Sequence, residues 1–447
     1  MTDSTKNKLV LRSVYLDNAV RDVLIEDGKF AKTATPLSPA DFDGAEIADC
    51  RGLALLPAFY NGHGHAAMTL LRGYADGMPL QTWLRDWIWP FEARLTPADI
   101  ETGTRLAVLE MLKSGTVFFS DMYWHREATA RVVEEMGLRA AIGVTIAENI
   151  DPPDRLEEHF RFLAAHRLES SRVKLAVCPH AVYTVGEKVF KRCAEIARAE
   201  NYPLHTHLSE TRLEVDNCRK EHGCTPVELL DRWGVLAPNL VAAHCVHLAP
   251  DEMSRFADSG ATAILNPCSN LKLGSGIPRV ASMAAAGIRL GLGTDGASSN
   301  NNLDMHEEMK LASLLAKAEP GNERAEALPA PDALRLATAA TAGAYGLHAG
   351  VIAEGFLADA LLVDLSNERL SPSHDLVGNW VYAASSDAIR SVLCDGRFVM
   401  RDRHVPGEET IVAEAERAAA HLSSRPPAFR AVHDIVWPPF YLEVSCW

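Results

Sequence analysis

The 447-residue chain lacks the features that mark membrane, secreted and nucleic-acid-binding proteins. It contains no apolar run approaching the ~20 residues of a membrane span. Its N-terminal stretch, Met1 to Asp17, shows no basic head followed by an apolar segment and a cleavage site, so no secretory signal is expected. The formal net charge of −15 argues against partners that need a basic surface, such as nucleic acid or an anionic membrane. We therefore expect a cytoplasmic enzyme for a small molecule, with homo-oligomer formation left open.

Two further absences narrow the chemistry. The nine cysteines are scattered and form no Cys-x-x-Cys pair, which argues against a disulfide framework and a zinc–cysteine site. No Gly-x-Gly-x-x-Gly follows the first strand of the middle region, which argues against a dinucleotide-binding sheet.

The two ends of the chain share a strand-rich pattern that the middle lacks. Residues 23–30 and 392–399 read as strand pairs broken by Asp27-Gly28 and Asp395-Gly396, a dipeptide typical of hairpins. Each end is too short for a core of its own. We therefore predict one small β-sandwich from residues 1–56 and 351–447, although separate decorations on the central domain are the alternative.

The middle of the chain, residues 57–350, alternates strands with helical stretches. This pattern predicts a closed parallel (β/α)8 barrel, with an open doubly wound sheet as the alternative. The predicted strands cover residues 53–59, 117–120, 140–146, 173–178, 203–207, 240–245, 261–265 and 289–293.

Two His-x-His pairs follow predicted barrel strands. His63 and His65 lie two residues apart, so in extended backbone both imidazoles point to one side and can meet one ion. Imidazole suits zinc and iron. The second pair ends with His207, and Glu210 three residues later could carry a proton between water and substrate. Each pair alone could equally be a polar strand end or a helix start.

Two more polar residues end predicted strands. His244 closes the sixth strand, and Asp295 stands beside glycines after the eighth, where a carboxylate can ligate a metal or cap a helix. Barrel enzymes place their catalytic groups on the face formed by these strand ends. Because all of these side chains fall on that face, the positions favour a metal site over unrelated structural roles.

Several longer motifs carry a resemblance to a known family. They are YNGHGH at 60–65, MTLLRG at 68–73, HLSET at 207–211, AHCVH at 243–247, NPCSNLKLG at 266–274 and GTDGASSN at 293–300. With these motifs the chain resembles the amidohydrolase superfamily, in its cytosine/adenosine-deaminase-like branch and nearest to the methylthioadenosine/S-adenosylhomocysteine deaminases. The resemblance covers nearly the whole chain.

This resemblance implies a reaction and the residues that serve it. The implied reaction is metal-dependent hydrolytic deamination of an adenine nucleoside to its inosine analogue and ammonia. One divalent ion, usually zinc with iron as the alternative, would be held by three imidazoles and a carboxylate. Glu210 would shuttle the proton, and His244 would stand beside the attacking water. The implied metal ligands are His63, His65, His207 and Asp295, and the implied substrate contacts are Trp83 and Glu92 for the ribose, His180 for the purine and Arg155 for an amino-acid carboxylate.

The sequence departs from the family at one substrate contact. Members that act on S-adenosylhomocysteine carry a second arginine on the third strand, where this chain has Gly143 or a neighbour. Arg126 is a possible replacement. The departure predicts that a long charged substrate tail is disfavoured.

Two other hypotheses compete with a nucleoside deaminase. The chain could be another hydrolase of the superfamily, acting on a guanine, oxidised purine, pterin or triazine ring. It could also be a non-catalytic metal-binding protein, although Glu210 and His244 then go unexplained because neither is needed as a ligand.

Overall fold

The computed structural model describes residues 8–165 and 168–424. The strands in these residues are β1 (Lys8–Leu16), β2 (Ala19–Glu26), β3 (Lys29–Ala34), β4 (Glu46–Asp49), β5 (Leu53–Pro57), β6 (Phe59–His65), β7 (Thr116–Asp121), β8 (Arg139–Ile146), β9 (Val173–Pro179), β10 (Leu204–Leu208), β11 (Leu240–His244), β12 (Thr262–Leu265), β13 (Arg289–Leu292), β14 (Asp295–Gly296), β15 (Ala360–Asp364), β16 (Ile389–Cys394) and β17 (Arg397–Met400).

Most helices lie between the strands of the central region. They are α1 (Leu80–Trp83), α2 (Trp89–Glu92), α3 (Pro97–Lys113), α4 (Arg126–Met136), α5 (Pro153–Ala165), α6 (Glu187–Ala199), α7 (Arg212–His222), α8 (Pro226–Arg232), α9 (Pro250–Ser259), α10 (Pro267–Lys272), α11 (Val280–Ala285), α12 (Met305–Lys317), α13 (Ala330–Arg335), α14 (Thr341–Ala344), α15 (Leu376–Tyr382) and α16 (Glu408–Ser424). None of the helices in the described residues has the length and apolar character that crossing a bilayer requires.

The central strands form one parallel sheet that closes on itself. Its order is β13-β12-β11-β10-β9-β8-β7-β6-β14. Only Gly293 and Thr294 separate β13 from β14, so the two ends of the sheet are parts of one interrupted strand and the sheet closes into a barrel of eight strands. The predicted (β/α)8 barrel is confirmed, and the open sheet is excluded.

Burial explains why these segments become barrel strands. Every residue of β7 and β8 is buried, as expected for parallel strands covered on both faces. The outer helices are apolar on one side only. In α6, for example, Phe190, Cys193, Ala194 and Ala197 recur at helical spacing and pack inward.

The prediction that residues 53–59 form one barrel strand is wrong. The structure divides this apolar run into β5, which joins the sheet of the chain termini, and β6, which opens the barrel. The chain passes from one sheet to the other at Ala58. The N–H of Ala58 donates to the carbonyl oxygen of Asp359, next to the terminal sheet, whereas the N–H of Phe59 donates to the carbonyl oxygen of Gly115, next to the barrel. An uninterrupted apolar run shows no boundary because both strands are buried.

The two ends of the chain meet in a second sheet, as predicted. Its order is β17-β16-β15-β5-β1-β2-β3, with β4 also paired to β1, and β5 runs antiparallel to β15. Both predicted hairpins are present, and at the first one Asp27 (φ 50°) and Gly28 (φ 77°) adopt the left-handed conformation that a tight turn requires. The domain boundaries remain a prediction, and residues 425–447 lie outside the described part of the chain.

Candidate metal centre and active site

Five polar residues predicted from the strand ends converge at the carboxyl-terminal mouth of the barrel. His63 and His65 lie in β6, His207 in β10, His244 at the end of β11 and Asp295 at the start of β14. Ligand atoms of His63, His65 and Asp295 lie within 4.8 Å of one another, and so do those of His63, His207 and His244. Residues more than 200 positions apart therefore meet at one centre.

Two of the imidazoles are oriented by backbone carbonyl groups. The Nδ1 of His65 donates to the carbonyl oxygen of Met122 at 2.6 Å. The Nδ1 of His207 donates to the carbonyl oxygen of His180 at 2.9 Å. A carbonyl oxygen can only accept, so each ring donates from Nδ1 and turns Nε2, the atom that would bind a metal, toward the centre.

The third imidazole is oriented by another histidine. The Nδ1 of His63 lies 3.0 Å from Nε2 of His205, whose Nδ1 lies 3.0 Å from the Ser120 hydroxyl. The Nε2 of His63 is buried and has no hydrogen-bond partner in the described residues. A buried nitrogen without a partner is expected where a ligand binds. His205 received no role from the sequence, and the structure shows that it supports His63.

Asp295 completes the group with one oxygen. Its Oδ1 lies 3.4 Å from Nε2 of His63 and 3.2 Å from Nε2 of His65. Its Oδ2 accepts hydrogen bonds from the Ser269 hydroxyl at 2.6 Å and the Ser299 hydroxyl at 2.8 Å. Three imidazole nitrogens and one carboxylate oxygen form a donor set that fits a divalent metal.

The surroundings set the charge of these ligands. Burial lowers the pKa of His63 to about 4 and that of His207 well below its usual range, so both rings are neutral, as metal ligands must be. Burial also lowers the pKa of His65, but the hydrogen bond and charge of Asp295 outweigh it and raise that pKa to about 9. A metal cation at this centre therefore competes with the proton of His65.

Glu210 and His244 form a second pair beside the imidazoles. Oε2 of Glu210 lies 3.8 Å from Nε2 of His244. Burial raises the pKa of Glu210, although the charge of His244 opposes the shift. A carboxyl group with a raised pKa holds a proton at neutral pH more readily than a solvated one, which suits proton transfer.

Glu210 and His244 line a cavity of about 70 Å³ at the mouth of the barrel. Besides the metal centre, the cavity brings together the predicted ribose and purine contacts. The predicted site residues that line it are His65, Trp83, Glu92, His180, His207, Glu210, His244 and Asp295.

Comparison with known proteins identifies the family of this chain. A model of the amidohydrolase family matches residues 54–399. The chain belongs to the amidohydrolase family. A 5'-deoxyadenosine deaminase of Methanothermobacter thermautotrophicus is 42% identical over 407 residues, which cover 90% of this chain and 94% of the relative. A 5-methylthioadenosine/S-adenosylhomocysteine deaminase of Desulforamulus reducens is 41% identical over 416 residues, with the same coverage of 90% and 94%.

A solved structure supports membership over the whole fold. The crystal structure of an adenosine deaminase from Xanthomonas campestris with bound zinc superimposes with a TM-score of 0.86 at 31% identity, covering 94% of this chain and 99% of that one. The predicted family, barrel and hydrolase class are thereby confirmed.

In this family member, the cavity wall contains aromatic residues that the sequence did not reveal. Trp89, Tyr123, Trp124 and Tyr183 line the cavity beside Trp83. No motif marked them, because their positions follow from how the loops after the strands fold over the mouth. The indole N–H of Trp83 is buried and lacks a hydrogen-bond partner in the described residues, so it is available to a ligand.

Glu92 lies in the same wall with an altered acidity. Burial raises its pKa to about 7, and the neighbouring Tyr123 and Trp124 oppose that shift. Its carboxylate is therefore partly protonated near neutral pH. A ligand that donates two hydrogen bonds to this group therefore binds best to its ionised form.

Arg155 is not brought to the cavity wall. It lies in the first turn of α5 with its side chain 52% exposed, and its guanidinium is 3.7 Å from Asp151. Gly143 lies within β8, where a Cβ atom would be 2.5 Å from the Cys178 sulfur, so no side chain fits there. Arg126 stacks on Phe162 at 3.8 Å and does not line the cavity either. A role for Arg155 in tail binding stays a prediction.

Proposed function

We propose that this chain catalyses the hydrolytic deamination of an adenine nucleoside, yielding the inosine analogue and ammonia. The observation that carries the proposal is the Glu210–His244 pair, which lies beside a donor set fit for a metal at the base of the cavity that Trp83 and Glu92 line. The two relatives, a 5'-deoxyadenosine deaminase and a 5-methylthioadenosine/S-adenosylhomocysteine deaminase, support the same substrate class.

One divalent ion, zinc in preference to iron, would be held by His63, His65, His207 and Asp295. The zinc in the related adenosine deaminase supports this choice. When bound, such an ion lowers the pKa of water from 15.7 to about 7 and so supplies a nucleophile at neutral pH. Because each Nδ1 is already engaged, the three imidazoles present only Nε2 to it.

The protein's own groups move the protons of the reaction. Water adds to C6 of the purine as the ring loses its aromaticity, and Glu210 takes one proton from this water and donates it to N1. His244 and Asp295 orient the water and accept its remaining proton. The C6–N6 bond then breaks, and the leaving amino group takes this second proton from Asp295, directly or through the emptied Glu210, and departs as ammonia.

The cavity wall fits a nucleoside. An ionised Glu92 accepts hydrogen bonds from both hydroxyls of a ribose, which matches a vicinal diol. Trp83 lines the cavity with an indole N–H that lacks a hydrogen-bond partner in the described residues and would face the sugar, and His180 lines it where the purine would lie. Burial lowers the pKa of His180 to about 3, so the ring meets the base as a neutral group.

The substituent at the 5' position is expected to be small and uncharged. Met68, Leu80, Leu84 and Leu273 give the cavity an apolar wall. Among the described residues that line it, none is lysine or arginine. A zwitterionic amino-acid tail would leave its carboxylate without a cationic partner inside this cavity.

A nucleoside panel tests the proposal. The metal-loaded protein is incubated with adenosine, 5'-deoxyadenosine, methylthioadenosine and S-adenosylhomocysteine, and the products are analysed by mass for the conversion of NH2 to OH and for ammonia. Turnover of at least one adenine nucleoside supports the proposal. Ammonia release only from guanine, pterin or triazine compounds would move the chain to another reaction of its family, and no release from any compound would remove the enzymatic assignment.

A further inference from the structure

One short segment touches all three groups that the proposed reaction uses for proton transfer. The segment runs from Asn266 to Ser275 and follows β12. The Ser269 hydroxyl donates to Oδ2 of Asp295 at 2.6 Å, and the Ser275 hydroxyl donates to Oε1 of Glu210 at 3.2 Å. Oδ1 of Asn270 lies 2.9 Å from Nδ1 of His244.

The segment contacts these three groups on the side that faces away from the cavity. Ser269 and Asn270 are completely buried and Ser275 is 6% exposed. None of the three lines the cavity, so none contacts a substrate there. Each of them can influence the reaction only through the residue that it holds.

Independent contacts keep the segment in place. Glu308, which is completely buried, accepts a hydrogen bond from the backbone N–H of Cys268 at 3.1 Å. Its other oxygen accepts from the side-chain amide of Asn300 at 2.6 Å. The Lys272 ammonium donates to the Ser298 carbonyl at 2.9 Å. These bonds tie the segment to the loop after Asp295.

We propose that the segment 266–275 is the positioning element of the site, and that Ser269, Asn270 and Ser275 each set one group. This inference rests on the proposed function for the roles of Glu210 and His244. Ser269, with Ser299, turns Asp295 so that Oδ1 faces the metal ligands. Ser275 aims the carboxyl group of Glu210.

Asn270 sets the tautomer of His244. Its side-chain oxygen accepts the Nδ1 proton, which leaves the lone pair on Nε2, the atom that faces Glu210 at 3.8 Å. The backbone at His244 is left-handed, with φ at 71°, and its N–H is held by the side-chain oxygen of Asn266 at 3.2 Å. Without Asn270 the ring is free to adopt the other tautomer, which cannot accept a proton at Nε2.

Separate substitutions should produce separate effects. Ser269→Ala should weaken metal affinity by about 10-fold, and adding Ser299→Ala should bring the loss toward 100-fold, as for other residues that orient metal ligands. Asn270→Ala and Ser275→Ala should leave metal affinity unchanged and lower kcat by roughly 10-fold or more with little change in KM. Asn270→Asp keeps the acceptor oxygen, so kcat should recover toward the wild-type value.

Leu271→Ala is the matched control, because this residue lies in the same helix and its side chain points outward, 42% exposed. Metal affinity is measured by competition with a chelator in the absence of substrate, kcat and KM with the nucleoside that the panel identifies, and folding by thermal unfolding. The metal measurement tests Ser269 even if the proposed reaction is wrong, and an inactive wild type would refute the reaction alone.

Two results would overturn the positioning role. The first is that the Ser269, Asn270 and Ser275 variants all behave like Leu271→Ala. The second is that every variant loses metal, kcat and thermal stability together without rescue by Asn270→Asp, because that pattern describes a structural segment. The distinct pattern of metal loss for Ser269 and kcat loss for Asn270 and Ser275 supports it.

Discussion

The Nδ1 of His207 donates a hydrogen bond to the backbone carbonyl oxygen of His180 at 2.9 Å, and the two rings lie 4.7 Å apart between their centroids. His207 is a proposed metal ligand, and His180 is the proposed purine contact in the cavity wall. One hydrogen bond thus fixes the metal ligand to the residue that receives the base. We expect metal binding and base binding to depend on each other through this pair.

The metal centre is tested by removing one ligand. His63→Ala should release the metal and abolish deamination while the fold is kept, because the substitution removes one of the proposed metal donors and leaves a gap in the centre. Elemental analysis and circular dichroism measure the two effects. His222→Ala is the control, because this histidine ends α7 outside the metal centre with its side chain 38% exposed. Full metal occupancy in His63→Ala would exclude His63 as a ligand.

The proton shuttle is tested by a substitution that keeps its size. Glu210→Gln should retain metal and lower kcat by at least ~100-fold, in line with the contribution of general acid–base catalysis. Glu221→Gln, a solvent-exposed glutamate in α7, should have no effect. Stopped assays of ammonia release measure both. Near-normal turnover of Glu210→Gln would show that the proton takes another route.

Ribose recognition should depend on pH through Glu92. Its pKa is raised by burial from 4.5 to about 7, so it loses its charge as the pH falls through 7 and accepts only weakly from a diol. KM should therefore rise below pH 7 by about tenfold, because a hydrogen bond to a charged group contributes ~1.5–3 kcal/mol. Glu92→Gln should have a high KM at every pH and lose this dependence.

The same pKa shift predicts an effect on folding. A carboxyl group with a raised folded pKa favours the neutral form, so its contribution to stability is complete below pH 4.5 and is lost as the pH rises through 7. Ligand-free Glu92→Gln should therefore gain stability relative to wild type as the pH rises from 4.5 to about 7, the span between the two pKa values. Urea unfolding at several pH values measures this gain, and a constant difference would contradict the shift.

The nucleosides should differ in kcat/KM according to the substituent at their 5' position. Adenosine, 5'-deoxyadenosine or methylthioadenosine should have a kcat/KM at least about tenfold above that of S-adenosylhomocysteine, since one missing charge-assisted bond costs ~1.4 kcal/mol or more. Arg155→Ala should lower turnover of S-adenosylhomocysteine selectively if its guanidinium reaches the tail. A clear preference for S-adenosylhomocysteine would contradict this and direct attention to Arg126.

A buried ion pair should hold the terminal sheet to the barrel. Arg139 in β8 pairs with Asp359, which precedes β15 and also accepts from the Tyr60 hydroxyl. Arg139→Met leaves this carboxylate buried without its cation and should cost about 3–5 kcal/mol. The exposed pair Arg401–Glu46 is the control, and Arg401→Met should cost less than about 1 kcal/mol. Equal losses in urea unfolding would refute the coupling.

Much of this site could be predicted because of one property of parallel barrels. The carboxyl ends of all strands meet on one face, so His63, His65, His207, His244 and Asp295 could be placed together from the positions of their strands alone. Strand alternation indicated the barrel, and two Asp-Gly turns indicated that the chain ends resemble each other. These features are local, and local patterns are readable in a sequence.

Only the tertiary structure decided how these side chains are held and what surrounds them. The free Nε2 atoms depend on the carbonyl groups of Met122 and His180, and the aim of Asp295 depends on Ser269, which is 26 residues away. The division of the apolar run at Ala58, the aromatic cavity wall and the exposed position of Arg155 have the same origin. They follow from the packing of distant segments in three dimensions, and the spacing of residues along a chain does not specify side-chain direction across such distances.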